Sequence, residues 1–67
     1  MWVVNDLMLV NFIESGDVVK IDDKIVHVTR IDIQTDIVII YGYDDNWGED
    51  AVWEYPSDVM IEIMIED

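Results

Sequence analysis

The apolar residues of this chain come in short runs, each stopped by a polar or turn-forming residue, most often glycine, proline, asparagine or an acidic residue. The longest unbroken run, Ile37–Tyr41, is followed at once by Gly42. Short runs rich in Ile and Val, bounded by turn-forming residues, read as strands, because amphipathic helices need longer stretches with a 3.6-residue period. The expectation is therefore an all-β fold, a small barrel of about five strands, in a single domain spanning residues 1–67.

The runs assign themselves in order. Val18–Ile21 reads as a strand and Asp22-Asp23 as a tight turn. Lys24–Ile33 is the next and longest strand. Val26 and Val28 share one of its faces, and regular alternation puts Ile31 and Ile33 on the other. A bulge near Thr29 and Arg30 brings all four to the core side. Gln34-Thr35-Asp36 is a hairpin connection into Ile37–Tyr43, which is apolar on both faces and so belongs in the middle of a sheet. Asp44–Asp50 forms a polar loop around Trp47 and Gly48. Ala51–Tyr55 is a strand ended by Pro56, which has no N–H to give to a ladder. In the last strand Val59, Ile61, Ile63 and Ile65 alternate with Met60, Glu62 and Met64, the first set inward and the second outward. The core expected from this pattern is Val18, Val26, Val28, Ile31, Ile37, Ile39, Val59, Ile61 and Ile63. Trp2–Ile13 is read as a further strand. The alternative is an α+β fold with a short helix at 6–14, capped by Asp6 and stopped by Gly16.

A chain of 67 residues buries only about 60% of the surface it exposes when unfolded, so small domains usually need extra stabilisation. Cysteine is absent, which removes disulfides and thiolate metal sites and leaves oligomerisation as the ordinary route. No basic residue precedes the first apolar stretch, so no secretory leader is expected and the expected compartment is the cytoplasm.

Sixteen acidic residues face three basic ones (Lys20, Lys24, Arg30), a formal charge of −13. Hydrophobic residues nonetheless make up 52% of the chain, too many for an acidic disordered tail. Such a charge repels nucleic acid and anionic membranes, whose binding requires cationic groups. The expected partner is a basic protein surface.

His27 is the only histidine, and neither a nucleophile nor a triad can be assembled around it from the sequence. No catalytic residue, metal ligand or cofactor is expected. The Asp44–Asp50 loop resembles a calcium loop, but placing Gly48 at the glycine position puts Tyr43 and Trp47 where oxygen ligands belong, so the register fails. The same loop concentrates Asp44, Asp45, Glu49 and Asp50 around Trp47, the make-up of a partner-binding epitope with an aromatic anchor. Trp2, Met60 and Met64 are the outward apolar residues expected at a homodimer interface.

Ser15-Gly16-Asp17-Val18-Val19 leading into a strand, then Ile21-Asp22-Asp23, Val26-His27-Val28, Ile31 and a late Pro56-Ser57-Asp58 form a pattern. Over about residues 15–65 it resembles the small SH3-like barrels common among short phage-encoded proteins. The resemblance implies a barrel that serves as a binding module. Together with the charge it leads to the expectation of a non-enzymatic, phage-type inhibitor that mimics nucleic acid and blocks a basic site on a DNA-acting protein. The alternative is an assembly module that oligomerises through exposed apolar strands.

Overall fold

In a computed structural model, which describes residues 1–46 and 48–67, the chain forms six strands and one short 3-10 turn. The strands are β1 (Trp2–Leu9), β2 (Val18–Ile21), β3 (Lys24–Ile33), β4 (Ile37–Asp44), β5 (Asp50–Pro56) and β6 (Met60–Glu66), with the turn at Val10–Phe12. They make one antiparallel sheet in the order β1-β6-β2-β3-β4-β5. The fold is all-β, and the sheet is not closed into a barrel: β1 and β5 are its edges. The N-terminal segment is a strand followed by the 3-10 turn, so a helix at 6–14 is ruled out.

Local chemistry explains the meander from β2 to β5. Asp22 and Asp23 both take positive φ, 51° and 65°. Aspartate tolerates this better than most residues, and it is the geometry a two-residue hairpin loop requires. The expected bulge lies where β3 pairs with β4. Val28 is opposite Gly42 and Arg30 opposite Tyr41, which leaves Thr29 as the extra residue. The bulge is held from outside: the Ser15 hydroxyl donates to the Thr29 carbonyl, while the Gly16 N–H donates to the Val28 carbonyl at 2.8 Å. Gly42 is indispensable beside it, because a Cβ there would collide with the His27 carbonyl oxygen and touch Val26.

Nearly all burial falls on one face. Val19 pairs with Val26 and Ile63, Ile40 with Ile31 and Trp53, Val38 with Tyr55, and Ile61 with Met8. Cross-strand partners point to the same side, so these residues form one apolar layer. Val10, Ile13 and Val59, from the connections before β2 and β6, pack into it, with Val10 donating its N–H to the Val59 carbonyl at 2.9 Å. The Tyr55 phenol, packed against this layer, is raised above its ordinary 10.0, first by burial and second by the Asp22 carboxylate.

Six core assignments change. Val19 is buried where Val18 was expected, and Val38 and Ile40 where Ile37 and Ile39 were expected. β2 opens with two valines and β4 is apolar on both sides, so alternation fixes two faces without saying which is inside. Pairing with Val26, Ile31 and Ile63 decides it. Met64, expected outward, is buried, and Ile65, expected inward, is exposed. Ile31 is half-buried against the core, and Ile33 ends β3 beyond its cover.

Candidate functional site

The connection from β4 to β5 carries most of the acidic residues singled out above. Asp44 is not part of an exposed epitope. It ends β4 on the inner face opposite Val26, only 7% exposed. Its carboxylate accepts the Asn46 N–H at 2.7 Å and its carbonyl accepts the Gly48 N–H at 2.8 Å. Asp44 therefore shapes the turn. Asp45 donates its N–H to the Ile25 carbonyl at 2.7 Å, and its Oδ1 lies 2.6 Å from His27 Nε2. An ionised carboxylate only accepts, so Nε2 is the donor. Glu49 and Asp50 are exposed. Trp47, the expected anchor, lies outside the described residues.

His27 sits in a second, smaller cluster on the outer face. Val18, His27 and Tyr43 are partners in a row across β2, β3 and β4. The imidazole stacks on Tyr43, with ring centroids 4.8 Å apart, and meets the edge of Trp2 at 5.4 Å. Met64 joins the same face through its partner Val4, two residues along β1 from Trp2. The sequence carried a weak signal for part of this cluster: His27 and Met64 oppose the inward set, whereas Val18 and Tyr43 fell on the faces expected to be inside. Of the three residues expected at an oligomer interface, Trp2 is half-buried in this cluster, Met64 is buried and Met60 is exposed.

The His27–Asp45 pair sets an imidazole against a carboxylate, and the two hydroxyls at the β3 bulge are bonded to backbone carbonyls. Ser15 donates to the Thr29 carbonyl and Thr29 to the Tyr41 carbonyl. Among the described residues no cluster of three or more acidic or histidine side chains has metal-binding geometry. A depression of about 320 Å³ is lined by Thr29, Arg30, Tyr41, Asp50 and Val52, with the Arg30 guanidinium 4.7 Å from the centre of the Tyr41 ring.

The charge is displayed and barely neutralised. Of the sixteen acidic residues only Asp44 is buried. Ion pairs among the described residues engage Glu66 with the N-terminus at 3.4 Å, Asp23 with Lys20 at 3.9 Å, and Asp45 with His27. On the outer side of the β5 edge, Asp50 and Glu54 flank the exposed Val52. No helix among the described residues is long and apolar enough to cross a membrane. Comparison with protein-family models, with curated proteins and with solved structures finds no match.

Proposed function

We propose that this chain is a small acidic binding protein that sets its carboxylates against a basic protein surface, one that otherwise receives nucleic acid. On this reading it acts as an inhibitor of the phage type in the cytoplasm, without catalysis or cofactor. The observation that carries the reading is the display of charge: every carboxylate but that of Asp44 stands outside the core of a hydrogen-bonded sheet, and the ion pairs among the described residues engage three of them, Glu66, Asp23 and Asp45. A net charge of magnitude about 2–8 suffices for the solubility of a small domain, and −13 exceeds it. The SH3-like reading of residues 15–65 draws support from topology. A small barrel must bring its last strand back beside its first, and β6 returns to pair with β2.

Glu49, Asp50 and Glu54 are the residues assigned to the contact, since Asp44 and Asp45 are occupied in holding the loop. Immobilised chain should capture a nucleic-acid-binding protein from the lysate of its native host, and duplex DNA or high salt should release it. Replacing the three residues with Gln, Asn and Gln should leave the fold intact and weaken capture at least about tenfold, about 1.4 kcal/mol. A partner that duplex DNA does not displace, or that binds the triple variant as tightly, overturns the proposal.

A further inference from the structure

We infer that the outer face of β1 and β6 is a contact surface for a second copy of this chain, reached by packing face against face. Exposed apolar side chains are not spread evenly. Of the eight large hydrophobic residues exposed among the described residues, Met1, Val4, Leu7, Phe12, Met60 and Ile65 lie on β1, on β6 or in the residues flanking β1, with Val4, Leu7 and Met60 on the outer face and Ile65, opposite Val3, on the inner one; Ile33 and Val52 lie elsewhere. Leu7 is opposite Glu62 and Leu9 opposite Met60, so Leu7, Leu9 and Met60 share the outer face. A contiguous apolar patch of this kind on a small protein marks an interface.

Charge selects the occupant. Residues 1–13 contain a single acidic residue, Asp6, whereas the other fifteen lie in residues 14–67. The carboxylate nearest the patch, Glu62, stands beside Lys20 on the neighbouring strand. One basic and one acidic residue thus stand side by side at the patch, on a protein of charge −13. A basic partner finds nothing to hold there. A second copy does: a two-fold axis through the patch sets Leu7 and Met60 against their counterparts and Lys20 of one copy toward Glu62 of the other, a self-complementary arrangement. Most of the like charge of both copies then stays away from the contact.

The free edge of β1 is a poor alternative. The pairing with β6 slips at Asn5, and the Asp6 carboxylate accepts the Leu7 N–H at 2.8 Å. Irregular edges with occupied amides resist continuation of the sheet, which leaves the face.

The test is sedimentation equilibrium of the full chain at about 0.05 M and about 0.5 M NaCl, since salt screens repulsion between exposed charges. Self-association should tighten with salt by at least tenfold, the opposite sign to the acidic contact proposed above, so the two ideas fail separately. Leu7→Gln with Met60→Gln leaves the formal charge unchanged and should give a folded monomer. Val52→Gln, an equally exposed site on the far edge, should associate as the parent does. Lys20→Glu should weaken association about tenfold, and adding Glu62→Lys should restore it. A parent that stays monomeric at both salt concentrations, association that weakens with salt, or a folded Leu7/Met60 variant that associates as the parent does overturns the inference. If that double variant does not fold, the Lys20/Glu62 exchange decides: no loss followed by recovery, no two-fold contact.

Discussion

The inner and outer faces of the sheet are made of the same residue types, and only the inner one is packed along its length. On the inner face, Val19, Val26, Val38 and Ile40 are fully buried in one cluster with Val10 and Ile13. On the outer face the one buried side chain among the described strand residues is Met64, and beside it Trp2 meets the edge of His27, which stacks on Tyr43. Leu7, Met60 and Val52 stand in the open. Hydrophobicity alone does not make a core. A second layer does, and the connecting segments supply it on one side only.

Neighbouring residues on β4 give the sharpest way to break this comparison. Ile40→Ala should cost about 2–5 kcal/mol, as large-to-small changes at packed sites do. Ile39→Ala, on the opposite face of the same strand, should cost about 1 kcal/mol or less. A chain of 67 residues has roughly 3–10 kcal/mol to lose, so urea denaturation should show Ile40→Ala near the limit of folding. Equal costs at the two positions would mean that the outer face is covered as well.

Gly42→Ala comes next, at about 1–3 kcal/mol, the usual range for forcing an atom into filled space. The obstacle is the His27 carbonyl, a backbone atom, so the strain should spread to the Thr29 bulge. It should appear as faster amide exchange at Val28, whose N–H is bonded to the Asp17 carbonyl at 2.9 Å.

Trp2→Ala addresses the outer cluster. Loss of the edge contact with His27 should cost about 1–2 kcal/mol. Inner-face methyl resonances should stay in place while those of Met64 and the His27 ring shift. Movement of the Ile40 or Val26 methyls would show the two clusters to be one.

The smallest expected effect concerns Tyr55 and alkaline pH. Burial and Asp22 raise its phenol above the ordinary 10.0. The folded state therefore holds this proton more tightly than the unfolded one. The associated stability is complete below about pH 10 and declines as pH rises through the folded value. Absorbance titration should show one phenol ionising late, and Tyr55→Phe should remove both that phase and the part of the alkaline decline that it causes. A Tyr55 that ionises at 10.0 would place it in open water.

Much of this fold was legible residue by residue. Asp22-Asp23 named a hairpin, the misfit of Val28 and Ile31 named the bulge at Thr29, and Pro56 closed β5. The candidate site was less legible. Asp44 and Asp45 look alike in the sequence, yet one is turned inward beside Val26 and the other is drawn to His27. That difference depends on where β4 ends relative to β3, which no local pattern encodes. Met64 misled for a similar reason: its alternation was right, and the face it lies on is outer, but it is buried there, beside the strand that the far end of the chain contributes.

The sequence by itself determined the strands, their turns and the two sets of residues on each strand, because a period of two and the φ preferences of Asp, Gly and Pro act within a few residues. It also determined the charge, which is a sum and needs no fold. Tertiary structure alone decided which set is inside on β2 and β4, and which carboxylates are spent on the fold rather than shown to a partner. It also decided where the apolar surplus of β1 and β6 comes to rest. Those outcomes depend on which distant strand or loop supplies the covering layer, and burial is a property of the pair of surfaces rather than of either strand.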